Sequence, residues 1–148
     1  MTSATQHSLN THLAEFPDVL AELGLAHDAA WSTVNPEILE LCRLRIAQLL
    51  GATSELAHRT PEAALHNDKY NSVAQWPTSS LFSEAEQACL SFTEEFVIDV
   101  ANLGHATAVN VGELIGQQEF ADFVSALLVI EQRIRISLAW QNLFGEAQ

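Results

Sequence analysis

Basic residues are scarce in this chain of 148 residues: six Lys and Arg stand against nineteen Asp and Glu, a formal net charge of −13. A surface so negative repels phosphate backbones and anionic lipid, which excludes nucleic acid and the membrane surface as expected partners. The six histidines soften that charge only at mildly acidic pH. Cysteine is rarer still. Cys42 and Cys89 lie far apart in sequence, form no C-x-x-C pair, and are too few for a disulfide scaffold or a zinc knuckle. No apolar run approaches the roughly 18 residues that a membrane span needs. The first sixteen residues, MTSATQHSLNTHLAEF, have neither a basic segment nor an apolar core and do not read as a signal peptide. The expectation is a cytoplasmic protein. Residues 1–16 read as a loosely ordered leader to a single domain spanning 1–148.

Alternating strand patterns are also almost missing, and valine and isoleucine recur at helical spacing instead. What is present in quantity is apolar side chain, 48% of the residues, with seven Phe, three Trp and one Tyr. That suffices for a core and excludes intrinsic disorder over most of the chain. The four prolines act as punctuation. Asn35-Pro36 supplies an N-cap and a first helical residue. It opens PEILELCRLRIAQLL, a helix apolar nearly all round and therefore central, with Gly51 as its stop. Ser83-Glu84-Ala85-Glu86 is a capping box opening a helix to about Asn102. Further helices are expected over residues 17–31 with a break at Gly24, over 54–66 with a kink at Pro61, over 68–75, over 109–115, and over 118–143. The fold class is thus all-α, a single-domain bundle of six to eight helices.

Charges within apolar helices must find partners or cost several kcal/mol each, of the order of an uncompensated buried ion. Glu40, Arg43 and Arg45 lie in the central helix, and Glu131, Arg133 and Arg135 in the last one. Ion pairing such as Glu40 with Arg43 is the simplest outcome; a subunit interface and a functional site are the others. Glu55, His58, Arg59, Glu62 and His66 recur at offsets of three and four. They read as a solvated face with a Glu55–Arg59 pair. Glu55-Leu-Ala-His58 is also one copy of the E-x-x-H pair that di-iron bundles use twice. The chain holds no second copy, so no metal or other cofactor is assigned. His7, His12, His27 and His105 are assigned no role.

The string LELCRLRIAQLLGATSELAHR resembles the signature of the carboxymuconolactone decarboxylase and alkylhydroperoxidase D-like family, which reads E-L-x-x-L-R-x-x-Q-x-x-G-C-x-x-C-x-x-x-H. The matching positions are Glu40, Leu41, Leu44, Arg45, Gln48 and Gly51. SLFSEAEQACLSFTEEF is similar to the family's "pLFseaErAaLafaea" segment, and IEQRIRISLAW falls where the family has IxxxNRxA. The resemblance spans about residues 36–144 and implies an alkylhydroperoxidase D-like fold and a homo-oligomer, a trimer or a hexamer.

The family's thiol chemistry needs two cysteines at a helix N-terminus, where the thiol pKa is lowered and C-x-x-C spacing lets a disulfide close. Here those positions hold Ala52 and Glu55, and the relay histidine position holds Arg59, with His58 one residue early. Neither a methyl group nor a carboxylate exchanges thiols. Cys42, mid-helix, and Cys89, on the apolar face of its helix, read as inert core cysteines rather than relocated nucleophiles. Two functions follow. The first is a degenerate, non-peroxidase binding or assembly member. The second is a metal-free acid/base enzyme that decarboxylates or isomerises a small organic acid, with Glu40, Glu55 and Arg59, and His58 nearby, meeting in one pocket as the resemblance implies. A thiol peroxidase or a metal-dependent enzyme is the remaining alternative.

Overall fold

Pro36, held rigidly at the first helical position, and Asn35, whose side chain accepts from the N–H groups of Glu37 and Ile38, start the central helix as the sequence requires. The architecture around it is that of a computed structural model, which describes residues 2–145. In chain order the helices are α1 (Ala4–His12), α2 (Pro17–Thr33), α3 (Pro36–Leu50), α4 (Thr53–Leu56), α5 (Asn67–Ser72), α6 (Glu84–Ile98), α7 (His105–Ile115) and α8 (Gln117–Phe144). Single 3₁₀ turns cover Val73–Gln75 and Val100–Asn102. Among the described residues there is no strand, and the chain is all-α.

Helix α3 lies between α6 and α8; α2 and α1 pack on α8, and α7 bridges α6 and α8. The main core joins Leu39, Cys42 and Ile46 of α3 to Cys89 and Phe92 of α6 and to Phe123, Leu127 and Ile130 of α8. Phe92 stands edge-on to Phe120 at 5.5 Å between ring centroids and 5.9 Å from Phe123, pinning α6 to α8. A second core, Leu41, Leu44, Leu65, Val73, Phe82 and Leu90, lies on the other side of α3 and α6, with Tyr70 and Trp76 packed against it. Because α3 faces a core on each side, it is apolar nearly all round.

Gly51 takes the left-handed conformation at φ +70°, which stops α3 and turns the chain into α4. The capping box at Ser83 forms reciprocally with Glu86. No described helix is long and apolar enough to cross a membrane.

Four expectations are corrected. Residues 1–16 are not a loose leader throughout: α1 occupies residues 4–12, and its Leu9 is fully buried. Gly24 does not break α2. The roughly 1 kcal/mol cost of a mid-helix glycine is outweighed by the docking of the helix on α8. Helix α6 ends at Ile98, because the Glu95 carboxylate accepts from the N–H of Gly104 and the hydroxyl of Thr107 and draws the chain into a turn. The largest departure is at residues 54–66, where α4 closes after a single turn and the chain continues without helix to α5. The cause lies in the site.

Candidate functional site

Arg43, on the buried side of α3, organises this segment. Its Nε and Nη2 donate to the two oxygens of Glu40, one turn earlier, at 2.8 Å each, a fork-to-fork pair. Nη1 donates to Glu55 Oε2 at 3.1 Å and to the Glu55 carbonyl at 2.9 Å, and Nη2 also reaches the His58 carbonyl at 2.7 Å. Glu40 in turn accepts from the Thr60 hydroxyl at 2.6 Å, the Thr60 N–H at 3.1 Å and the Tyr70 hydroxyl at 2.8 Å. Glu55 Oε1 accepts from the N–H of Thr5 in α1. A side chain from α3 thus takes carbonyls that a continuing helix would need for itself. Pro61 adds its own bias, since a residue before proline is driven away from helical geometry. Together these explain why residues 57–66 are not helical.

The cluster is buried: Glu40 is fully covered, and Arg43 and Glu55 are each 4% exposed. Burial raises the cost of charging Glu40, but the hydrogen bonds and charge of Arg43, followed by Thr60, outweigh it and hold its carboxyl below the usual range. Burial and the bond to ionised Glu40 push the Tyr70 hydroxyl up to about 12.

The four candidate residues do not meet in one pocket. Glu40 and Glu55 share Arg43, which stands between them. His58 is half-buried and gives its carbonyl to the cluster. Arg59 is exposed, stacks 4.1 Å over the Tyr70 ring and donates to Asn67. The Glu55–Arg59 pair therefore does not form; Arg43 has taken Glu55 instead.

Beside the cluster is a cavity of about 220 Å³, lined among others by Gln6, His27, Trp31, Arg43, Glu55 and Arg133. Glu40 lies behind Arg43 and does not line it. Helix α8 supplies Arg133, 6% exposed. It donates to Gln6 Oε1 at 2.6 Å and, at 3.5 Å, to the Leu23 carbonyl. Other charges in apolar helices find ionic partners: Arg45 with Glu94 and Arg135 with Glu131, each at 2.7 Å. Among the described residues Arg133 has no carboxylate within ion-pair distance. Burial followed by the proximity of Arg133 lowers the His27 pKa, favouring the neutral ring, whose Nε2 accepts from Trp31 Nε1 at 3.1 Å.

The sequence singles out Arg133 only as a charge needing a partner, and it gives no role to His27 or Trp31. One signal was available. Arg135 has Glu131 four residues before it, whereas the positions three and four away from Arg133 are Val129, Ile130, Ile136 and Ser137. An arginine with no acid in helical reach must look outside its own helix.

Ala52, which the resemblance sets at a cysteine position, is 2% exposed. Both cysteines are buried and free. Burial, with Cys89 nearby, raises the Cys42 thiol well above the ordinary range, and burial followed by the Glu86 charge raises Cys89 to about 12. Among the described residues no group of three or more His, Cys, Asp or Glu could hold a metal ion. Comparison of the chain with protein-family models, with curated proteins and with solved structures finds no match.

Proposed function

We propose that the chain is a carboxymuconolactone decarboxylase/alkylhydroperoxidase D-like domain without the redox cysteine pair. On this reading it serves as a non-peroxidase, oligomeric binding or assembly member that takes a small organic acid. The observation that carries the reading is the saturation of the site carboxylates. Arg43 binds both Glu40 and Glu55, while Thr60 and Tyr70 donate to Glu40 and Thr5 donates to Glu55. Such a cluster holds a fold together and leaves little to move protons.

The acid/base alternative needs two carboxylates that push each other's pKa values apart. Here a guanidinium separates them and Glu40 is held ionised. The thiol alternative needs a thiolate, and both thiols are buried and driven toward the protonated form.

The deciding assay is peroxide consumption by the purified protein with a dithiol reductant, beside a Cys42→Ser, Cys89→Ser double variant. No turnover above the uncatalysed rate is expected from either. Turnover that disappears in the double variant would overturn the reading.

For assembly, the outer faces of α2 and α8 expose Val19, Leu25, Leu128 and Ile136. A shallow apolar groove there runs between Leu23, Ala26, Leu128 and Ile136. Large apolar side chains grouped this way favour association. Sedimentation at micromolar concentration is expected to give a trimer or a hexamer, and a stable monomer would remove assembly from the reading.

A further inference from the structure

We propose that the cavity between α1, α2 and α8 is a binding site for a small, flat, apolar monocarboxylate, whose carboxylate is taken by Arg133 in the place now held by the Gln6 amide oxygen. The proposal rests on the ligand-binding reading above and names its site and ligand class.

The first observation is an imbalance. Arg133 is a buried cation with five N–H donors, and among the described residues it donates to one amide oxygen and one distant carbonyl. A buried guanidinium is ordinarily matched by an anion, because neutral acceptors recover less of the lost hydration. Gln6 Oε1 at 2.6 Å sits where a carboxylate oxygen would, and the Gln6 amide group is turned away to Asn10. The side chain thus presents the planar acceptor end of a carboxylate without its charge.

The second observation is the composition of the walls. Trp31, Ile130 and Ile134 are all nearly buried and line the same cavity. They offer one aromatic and two aliphatic surfaces to the body of a ligand. A volume of about 220 Å³ is below the roughly 300–1,000 Å³ of drug-sized sites, so the body is of single-ring size.

The third observation is charge. Glu40 and Glu55 share the single charge of Arg43, so the three together are negative by one, and Glu55 lines the cavity. Glu62 lies exposed at the rim. Arg133 has no described carboxylate at ion-pair distance and feels Glu55 and Asp28 only from further off. With Glu55 and Glu62 already placing negative charge on the cavity, one added negative charge held directly by Arg133 is accommodated and a second is opposed. The expected ligand is therefore a monoanion, not a phosphate or a dicarboxylate. Entry requires Gln6, in the first turn of α1, to give way, so this helix is part of the site.

Benzoate is the probe, followed by calorimetry and by the amide and indole signals of Gln6 and Trp31 in NMR spectra of the full chain. Binding with a Kd of about 1 mM or tighter is expected, with benzamide and inorganic phosphate each at least about tenfold weaker. Arg133→Met is expected to lose at least about tenfold in benzoate affinity. Should that variant fail to fold, Gln6→Glu decides. It is nearly isosteric, tethers a carboxylate beside Arg133, and is expected to melt higher and to take up no benzoate. Equal binding of benzoate and benzamide, phosphate binding as tight as benzoate, or unaltered benzoate binding by Gln6→Glu would each overturn the site. Failure here without peroxide turnover removes the carboxylate site alone. Thiol-dependent peroxide turnover alongside benzoate binding removes the non-peroxidase reading alone.

Discussion

Arg43→Met is expected to lower stability by about 3–5 kcal/mol, the penalty for removing one partner of a buried ion pair. For a domain of this size that corresponds to a fall in melting temperature of roughly 10 °C. The cost comes less from the bonds that Arg43 makes than from the groups it would leave behind. Glu40 is fully buried and Glu55 is 4% exposed, and both would be without their cation. The His58 carbonyl loses its Arg43 donor and the Glu55 carbonyl keeps only the N–H of His58, so the hold of α3 on residues 57–66 is weakened. Methionine keeps the length and apolar character of the stem, which limits the added cavity. Arg59→Met provides the contrast. Arg59 is exposed and its partners are Tyr70 and Asn67, so a change within about 0.5 kcal/mol is expected. Thermal melts of the two variants side by side test the assignment. Equal effects, or a larger effect at Arg59, would mean that Arg43 does not organise the cluster.

Phe92→Ala is expected to cost about as much, roughly 3–5 kcal/mol, by a different route. Phe92 is 1% exposed, and its ring meets Phe96 of its own helix and both Phe120 and Phe123 of α8. Truncation removes the ring and leaves a void that helices docked on both sides fill poorly. Against the roughly 5–15 kcal/mol that small domains have in total, this is a large share. Phe92→Leu, which retains much of the volume, should cost clearly less. Chemical denaturation reads both, and a Phe92→Ala loss below about 1 kcal/mol would show that α6 and α8 are not held together at this ring.

The sequence was most legible where a short stretch carries its own instruction. Asn35 and Pro36 start α3, Gly51 ends it in a left-handed turn, and Ser83 with Glu86 caps α6, each an interaction closed within a few residues. The pairing of Glu40 with Arg43 belongs to the same class, one helical turn apart. Legibility failed where a distant group outbid the local one. Residues 54–66 have helical spacing of charges, yet α3 reaches across with Arg43 and Glu40 and takes their carbonyls and N–H groups. Likewise α1 looks like a polar leader until Leu9 is seen to be buried and Thr5 to cap Glu55.

Composition and periodicity alone determined the helical class, the acidic balance, the central apolar helix and the lack of a redox cysteine pair, because each depends on residue type or on spacing within one helix. Only the tertiary structure decided which acid Arg43 would take besides Glu40, that Arg59 would turn away, and that Arg133 would lie beside Gln6, His27 and Trp31 with no described acid within ion-pair distance. Those outcomes compare partners from α1, α2, α3 and α8, far apart in the chain. A buried charge is satisfied by whatever packing brings within about 3 Å, and sequence spacing does not encode that distance.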